Sequence, residues 1–413
     1  MSRRRTTWVA AALLGLVLSG CSGVDEPGSQ AAREPSVSTT EASETPRDEP
    51  SAEPTDAPSS SHHPDAKPAK LKPLRKGEQR VTMTMPETYT PAAPTGTGTD
   101  DYRCFLLDPH IARDSYLTGT NVVPGNPDVV HHVILFRVLP DQVAEAEAKD
   151  AETEGQGWTC FGGTGLQNEF GSIEDAPWLG AWAPGGDETM VRDGYGVDLP
   201  RGSRVIMQVH YNLLAGASPD MSSTQIRVTD RKPGITQLHT FLLPAPVEMP
   251  CRPGRDDGPL CDREASLADA RVRFGATGGA LAQALHLLCG TQVVASDTTE
   301  CTRAIGRGMT IVAAAGHMHL LGRRITIELN PGTPQAETVL DIKPWDFDDQ
   351  GSRRVDPVHL DPFDTIKVTC THAQWLRDKL PAFETQREDK YVVWGEGTTD
   401  EMCLGTLTVA YDD

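Results

Sequence analysis

The sequence predicts an all-β protein carried on a long N-terminal tether. Three observations point there. Short apolar or alternating runs rich in Val, Ile, Thr and Tyr recur from residue 81 to the C-terminus, separated by Gly- and Pro-containing turns. Helical periodicity is scarce between them, and no heptad pattern appears. Residues 22–80 have a different composition: Ser, Thr, Pro, Glu, Asp and Ala dominate, and the segment offers too little apolar surface to offset the entropy of ordering.

Taken in order, the chain opens with a basic stretch, Arg3-Arg4-Arg5, and an apolar run from Trp8 to Leu18 that is too short to span a bilayer. Leu18-Ser19-Gly20-Cys21 closes that run. Residues 1–21 thus resemble a bacterial lipoprotein signal peptide with its lipobox, which implies cleavage before Cys21 and lipidation of its thiol. An ordinary secretory signal with an incidental cysteine is the alternative. The consecutive arginines leave Sec and Tat export open. The expected location is the outer side of the bacterial cell membrane, held by a lipid anchor alone. As a disordered coil, the linker of about 59 residues reaches on the order of 40–45 Å. His62-His63 falls inside it and reads as incidental.

The net charge of −20 argues against nucleic acid or an anionic membrane surface as partner, because either needs a basic patch. The chain has 9 cysteines; with Cys21 set aside 8 remain, an even number that suggests disulfides in an exported protein.

The first folded domain is placed at residues 81–245. Its strands are expected over Val81–Met85, Asp100–Leu107, Val129–Val138, Gly202–Tyr211, Ser223–Val228 and Gln237–Leu243, with a short helix or loop at Asp141–Asp150. Met83 and Met85 read as core residues, although a thioether is also a soft copper ligand. Pro244, Pro246 and Pro250 cluster with Cys251 and mark the boundary. The second domain, residues 246–413, is expected to place strands at Met309–Ala315, Thr338–Ile342, Thr365–Cys370 and Leu404–Tyr411. Cys251 and Cys261 bracket one Gly/Asp/Pro loop; Cys289 and Cys301 bracket another. Their proximity suggests these two pairs, but four cysteines allow three connectivities.

Two histidine constellations carry the chemistry. His317 and His319 precede an apolar run, Ile325, Ile327 and Leu329. On a strand, residues i and i+2 share a face, so both imidazoles can aim at one point. Met402 is a candidate third ligand, and its thioether favours copper over zinc or magnesium. His131 and His132 are adjacent and face opposite ways on a regular strand, so both reach one metal only if the strand bends there. His210, on a later strand, can supply a third imidazole. The bland readings are a polar strand face for the first group, and one core and one surface histidine for the second.

Five ordered landmarks resemble the copper type II, ascorbate-dependent monooxygenases, the group of peptidylglycine α-hydroxylating monooxygenase and dopamine β-monooxygenase. They are Tyr102-x-Cys104, Val130-His131-His132-x-x-Leu135-Phe136, Gln208-Val209-His210-Tyr211, His317-x-His319-x-x-Gly322 and Asp400-Glu401-Met402-Cys403. The resemblance implies two tandem antiparallel, jelly-roll-like β-sandwich domains and two copper ions per chain. His131, His132 and His210 match the copper that stores and delivers an electron. His317, His319 and Met402 match the catalytic copper, where dioxygen binds and a substrate C–H bond is broken. Ascorbate or another one-electron donor is the implied cosubstrate, with one oxygen atom entering the substrate and the other leaving as water. The family's two sites face each other across a solvent cleft. Cys104–Cys160 and Cys370–Cys403 match family bridges, and Gln208 and Tyr102 match positions near the electron-transferring copper.

The departures bear on substrate. The arginine with which the peptidylglycine enzyme holds its substrate carboxylate corresponds to Ala315, and its asparagine and tyrosine after the methionine ligand correspond to Leu404 and Thr406. A C-terminal glycine peptide is therefore not expected. His110, His239, His286, His359 and His372 match no family role, though His372 lies two residues after Cys370. The expected function is an exported copper monooxygenase acting with O2 on a small-molecule or peptide-like substrate. The alternative is a surface lipoprotein that binds or buffers copper without turnover.

Overall fold

The computed structural model describes residues 71–94, 98–167, 173–184, 186–214 and 216–412. The signal peptide, Cys21, His62-His63 and the linker up to residue 70 lie outside the described residues. Lys72 and Arg75 are already held by Glu188 and the Val191 carbonyl.

The N-terminal half runs β1 (Glu78–Thr84), β2 (Asp100–Leu107), β3 (Ser115–Val123), β4 (Val130–Val138), α1 (Val143–Asp150), β5 (Trp158–Thr159), β6 (Trp178–Trp182), β7 (Thr189–Met190), β8 (Tyr195–Leu199), β9 (Arg204–Asn212), β10 (Ser223–Asp230) and β11 (Thr236–Pro244). The C-terminal half continues with β12 (Glu248–Met249), α2 (Arg263–Phe274), α3 (Ala276–Cys289), β13 (Thr298–Ala304), β14 (Met309–His317), β15 (Gly322–Leu329), β16 (Glu337–Ile342), β17 (Arg353–Leu360), β18 (Thr365–His372), β19 (Val392–Val393) and β20 (Leu404–Tyr411).

The fold is all-β. A five-stranded sheet, β5-β2-β9-β4-β6, packs on the β1-β10-β3-β8 part of a nine-stranded sheet. That long sheet continues through β11 into β20, β14 and β17, and there it packs on the four-stranded sheet β13-β18-β15-β16. A parallel β8–β11 pair joins the two parts, and the antiparallel β11–β20 pair carries the sheet across the 245/246 division. Among the described residues, no helix is long and apolar enough to cross a membrane.

Side-chain alternation decides which residues reach the site. On β9, Val205, Met207, Val209 and Tyr211 enter the N-terminal core, whereas Ile206, Gln208 and His210 point to the opposite face. On β2 the core takes Phe105 and Leu107, leaving Asp100, Tyr102 and Cys104 on that same opposite face. Met83 and Met85 are buried in the N-terminal core.

Among strands of five or more residues the sequence reading omits β3, β6, β8, β13 and β17, and it omits two helices, for physical reasons. β13 is polar and β17 carries Pro357 and three charged residues; both are edge strands, where a strand needs no apolar alternation. β3 and β8 each hold a mid-strand glycine, a residue depleted in strands. Helix α2 is signalled by the Asp262 side chain accepting from the Ala265 amide, with Leu267, Ala270 and Phe274 on its buried face. It follows the Cys251–Cys261 loop directly, and α3 ends at Cys289.

Four disulfides join Cys104–Cys160, Cys251–Cys261, Cys289–Cys301 and Cys370–Cys403. The last ties β18 to the residue beside Met402.

Candidate metal centre

The first constellation is assembled across three adjacent strands. Tyr102 of β2, His210 of β9 and His132 of β4 lie side by side in register. The β4–β9 ladder skips His131, passing from Val130↔Tyr211 to His132↔His210. This irregularity is the bend that two neighbouring histidines need to turn toward one point. The Nδ1 atoms of His131 and His132 are 3.1 Å apart, and those of His132 and His210 are 3.2 Å apart. All three imidazoles are buried.

Asp100 fixes the state of this group. Its Oδ1 accepts from His210 Nε2 at 2.8 Å, so the proton sits on Nε2 and the Nδ1 lone pair turns inward. Asp100 also accepts from the Thr398 amide at 3.0 Å and from the Thr398 hydroxyl. Burial alone would raise the Asp100 carboxyl; the His210 and Thr398 hydrogen bonds hold it below the usual carboxylate range. Burial and the neighbouring imidazoles push His132 well below the ordinary histidine value, so it is neutral and able to donate a lone pair. Tyr102 stacks on His210 with ring centres 4.1 Å apart and donates its hydroxyl to the Glu396 carbonyl. Gln208 donates to the carbonyls of Cys160 and Gly163.

The second constellation differs from the expected strand geometry. β14 ends at His317, and Met318 and His319 lie in the turn before β15. The Glu401 carboxylate draws the chain out of the ladder by accepting from the backbone N–H groups of His319 and Leu321. The two imidazoles still meet, with ring centres 5.1 Å apart. His317 shares a hydrogen bond of 2.5 Å with Gln350 Oε1, so its Nδ1 carries the proton and Nε2 is left as lone-pair donor. His317 is pushed down to about 3 by burial and by His319; burial also lowers His319. Both nitrogens of the fully buried His319 make no hydrogen bond. Met402 is buried, and its sulfur-bearing side chain lines the same cavity as His317. Its backbone is fixed on three sides: Glu401 precedes it, Cys403 is bridged to Cys370, and its carbonyl meets His372 Nε2 at 3.2 Å. His372 also lies 3.3 Å from Glu401.

The donor sets fit copper. His131, His132 and His210 present converging imidazole nitrogens, a donor set that suits copper among other metals. The buried His319, with two nitrogens that make no hydrogen bond, lies beside His317, and Met402 offers a thioether, a soft donor that favours copper. In place of an intervening solvent cleft, the two groups adjoin, with the rings of His132 and His317 at 5.5 Å. Contacts between the halves draw them together: Thr398 on Asp100, Tyr102 on Glu396, and Phe347 stacked on His131 at 4.2 Å.

Asp100, Phe347, Gln350, Glu396 and Thr398 are site residues that the sequence reading omits. Asp100 is signalled by sharing strand parity with Tyr102. Asp346 to Gln350 reads as an ordinary acidic loop and carries no such sign. The other histidines lie apart from the centre: His239 pairs with Asp175, His286 with Glu248, His110 with the half-buried Asp108 and His359 with the exposed Asp361.

Residues 291–409 match the family described as copper type II ascorbate-dependent monooxygenase, C-terminal domain. That segment contains His317, His319 and Met402; the three-histidine group lies outside it. No curated protein matches the chain. Among solved structures, that of Sulfolobus turreted icosahedral virus is similar at 9% identity and a TM-score of 0.17, over 82% of this chain and 60% of that one. The coconut allergen cocosin is similar at 10% identity and a TM-score of 0.13, over 80% and 86%. This chain thus spans about 60% of the viral protein's length, and similarities at these scores carry no argument.

Proposed function

We propose that this chain is an exported copper-dependent monooxygenase that uses O2 and ascorbate, or another one-electron donor, to hydroxylate a C–H bond of a small substrate. The supporting observation is the gathering of five imidazoles from both halves of the chain, with His132, His317 and Met402 lining one cavity. The family match over residues 291–409 adds to it. Overall, the substrate C–H, one O2, two electrons and two protons give the alcohol and one water.

Copper, when bound, supplies the one-electron chemistry with dioxygen that no side chain provides. His131, His132 and His210 would hold one ion through their Nδ1 atoms, with Asp100 orienting His210. His317, His319 and Met402 would hold the other. Gln350 fixes the tautomer of His317, and Glu401 with the Cys370–Cys403 bridge keeps Met402 in place. The cavity at His132, His317 and Met402 receives the substrate. Residues 81–245 and 246–413 act in this reading as two copper domains in close contact. Export and a lipid anchor at Cys21 belong to the same reading and rest on the sequence.

The test is ascorbate-dependent oxygen uptake by the copper-loaded chain with product analysis. His317→Ala and Met402→Ala are expected to abolish uptake while the fold is retained. Uptake equal to wild type in both variants overturns the assignment. Tight copper binding without turnover under any reductant favours the buffering alternative.

A further inference from the structure

The cavity beside the metal centre has a volume of about 560 Å3, a size that takes a drug-sized molecule. Its floor is the face of three neighbouring strands. His317 of β14 is paired with Leu404 of β20, and Ala315 with Thr406. Beyond them, Thr406 is paired with Leu242 of β11. The lining also includes aromatic and aliphatic residues from both halves, among them Phe136, Trp178, Trp182 and, from α3, Leu285.

The charge pattern restricts what such a floor accepts. None of the cavity-lining residues of β11, β14 or β20 is an acid, a lysine or an arginine. Ala315 and Thr406 are direct cross-strand neighbours, so the wall next to His317 is made of a methyl group and a hydroxyl. The cations that reach the cavity are already engaged: Lys72, Arg192 and Arg354 donate to the carbonyls of Glu188, Val355 and Met190. The buried acid Glu396 is pushed up to about 7 by burial, which disfavours its charged form. Of the remaining acids at the cavity, Glu188 is paired with Arg80 and Arg227, and Asp187 and Asp349 are exposed residues outside these three strands. An ionised substrate group laid on the floor itself would therefore lose hydration without gaining a counter-ion.

We propose that this cavity is the substrate site and that its substrate is an uncharged, mainly hydrocarbon molecule. It lies along the Ala315–Thr406 floor with one C–H bond beside His317 and Met402. The identity of the reaction rests on the copper reading above; the ligand class rests on the cavity wall. Glu396 and Thr406 line the cavity and can hydrogen-bond a single polar substituent.

The experiment uses the full chain and Nile red, a neutral apolar fluorophore, with copper content measured on the same samples. Saturable binding is expected, with displacement by 1-dodecanol at concentrations at least about tenfold below those needed for dodecanoate. Ala315→Arg puts a cation on the floor and is expected to weaken Nile red at least about tenfold with copper content unchanged. Thr406→Arg is the second variant should the first fail to fold. Absence of saturable binding, dodecanoate displacing as well as dodecanol, or folded arginine variants that bind like wild type would each overturn the ligand class. Copper-free protein that still binds Nile red would overturn the copper reading and leave the ligand class standing. Copper-replete protein that does not bind it would do the reverse.

Discussion

Replacing Asp100 by Asn removes one charge from the centre of the molecule while nearly preserving shape. In the native chain the carboxylate accepts from His210 Nε2 at 2.8 Å and from the Thr398 amide at 3.0 Å, with almost no exposure to solvent. The amide oxygen of Asn can still accept from His210, but it no longer stabilises a positive centre on the far side of the ring. Loss of such a supporting carboxylate costs about 10–100-fold in metal affinity, which is about 1.4–2.7 kcal/mol. Asp100→Ala goes further and leaves the His210 and Thr398 donors buried without an acceptor, at about 1–3 kcal/mol each in stability. The assay is a competitive chelator titration of Cu(I), with the Cu(II) electron paramagnetic resonance spectrum recorded in parallel. Asp100→Asn should weaken one of two copper equivalents and change its hyperfine splitting, leaving the other as in wild type. Two unchanged equivalents and an unchanged spectrum in both variants would refute the role given to Asp100.

Removing the Cys370–Cys403 bridge by a double Ala substitution frees a loop of 33 residues, expected to cost about 3–4 kcal/mol on the chain-entropy account. Denaturant titration measures this, and weaker copper binding at the Met402 group should accompany it. Glu248 is buried and would be raised by that burial, but hydrogen bonds from Arg263, His286 and Tyr391 hold it below 4.5. A lowered folded-state value contributes stability above the unfolded pKa and loses it as pH falls through the folded one. Glu248→Ala should therefore cost about 3–5 kcal/mol at pH 7, and the gap from wild type should close as pH drops below 4.5 in denaturation curves.

The parts of this molecule that are legible in the sequence are those dictated by local pattern. Val130–Val138 and Arg204–Asn212 are strongly apolar strands, and their alternation already assigns His132 and His210 to a face. The need for a bend at His131 follows from adjacency alone, and the ladder provides it. What is not legible depends on packing between distant segments. Phe347 covers His131 from a loop that looks like acidic surface, and Thr398 reaches Asp100 across 298 positions. The strand reading of His317-x-His319 misses because Glu401, 82 positions from His319, captures the backbone of the turn. The closeness of His132 to His317 is likewise a property of the contact between the halves, which no local spacing encodes.

The most direct measurement is copper stoichiometry of the reduced, fully loaded chain together with its Cu(I) X-ray absorption spectrum. The account predicts two coppers per chain, nitrogen neighbours at both and a sulfur scatterer at one, with the sulfur signal absent in Met402→Ala. One copper or none, or a spectrum without sulfur, would contradict it.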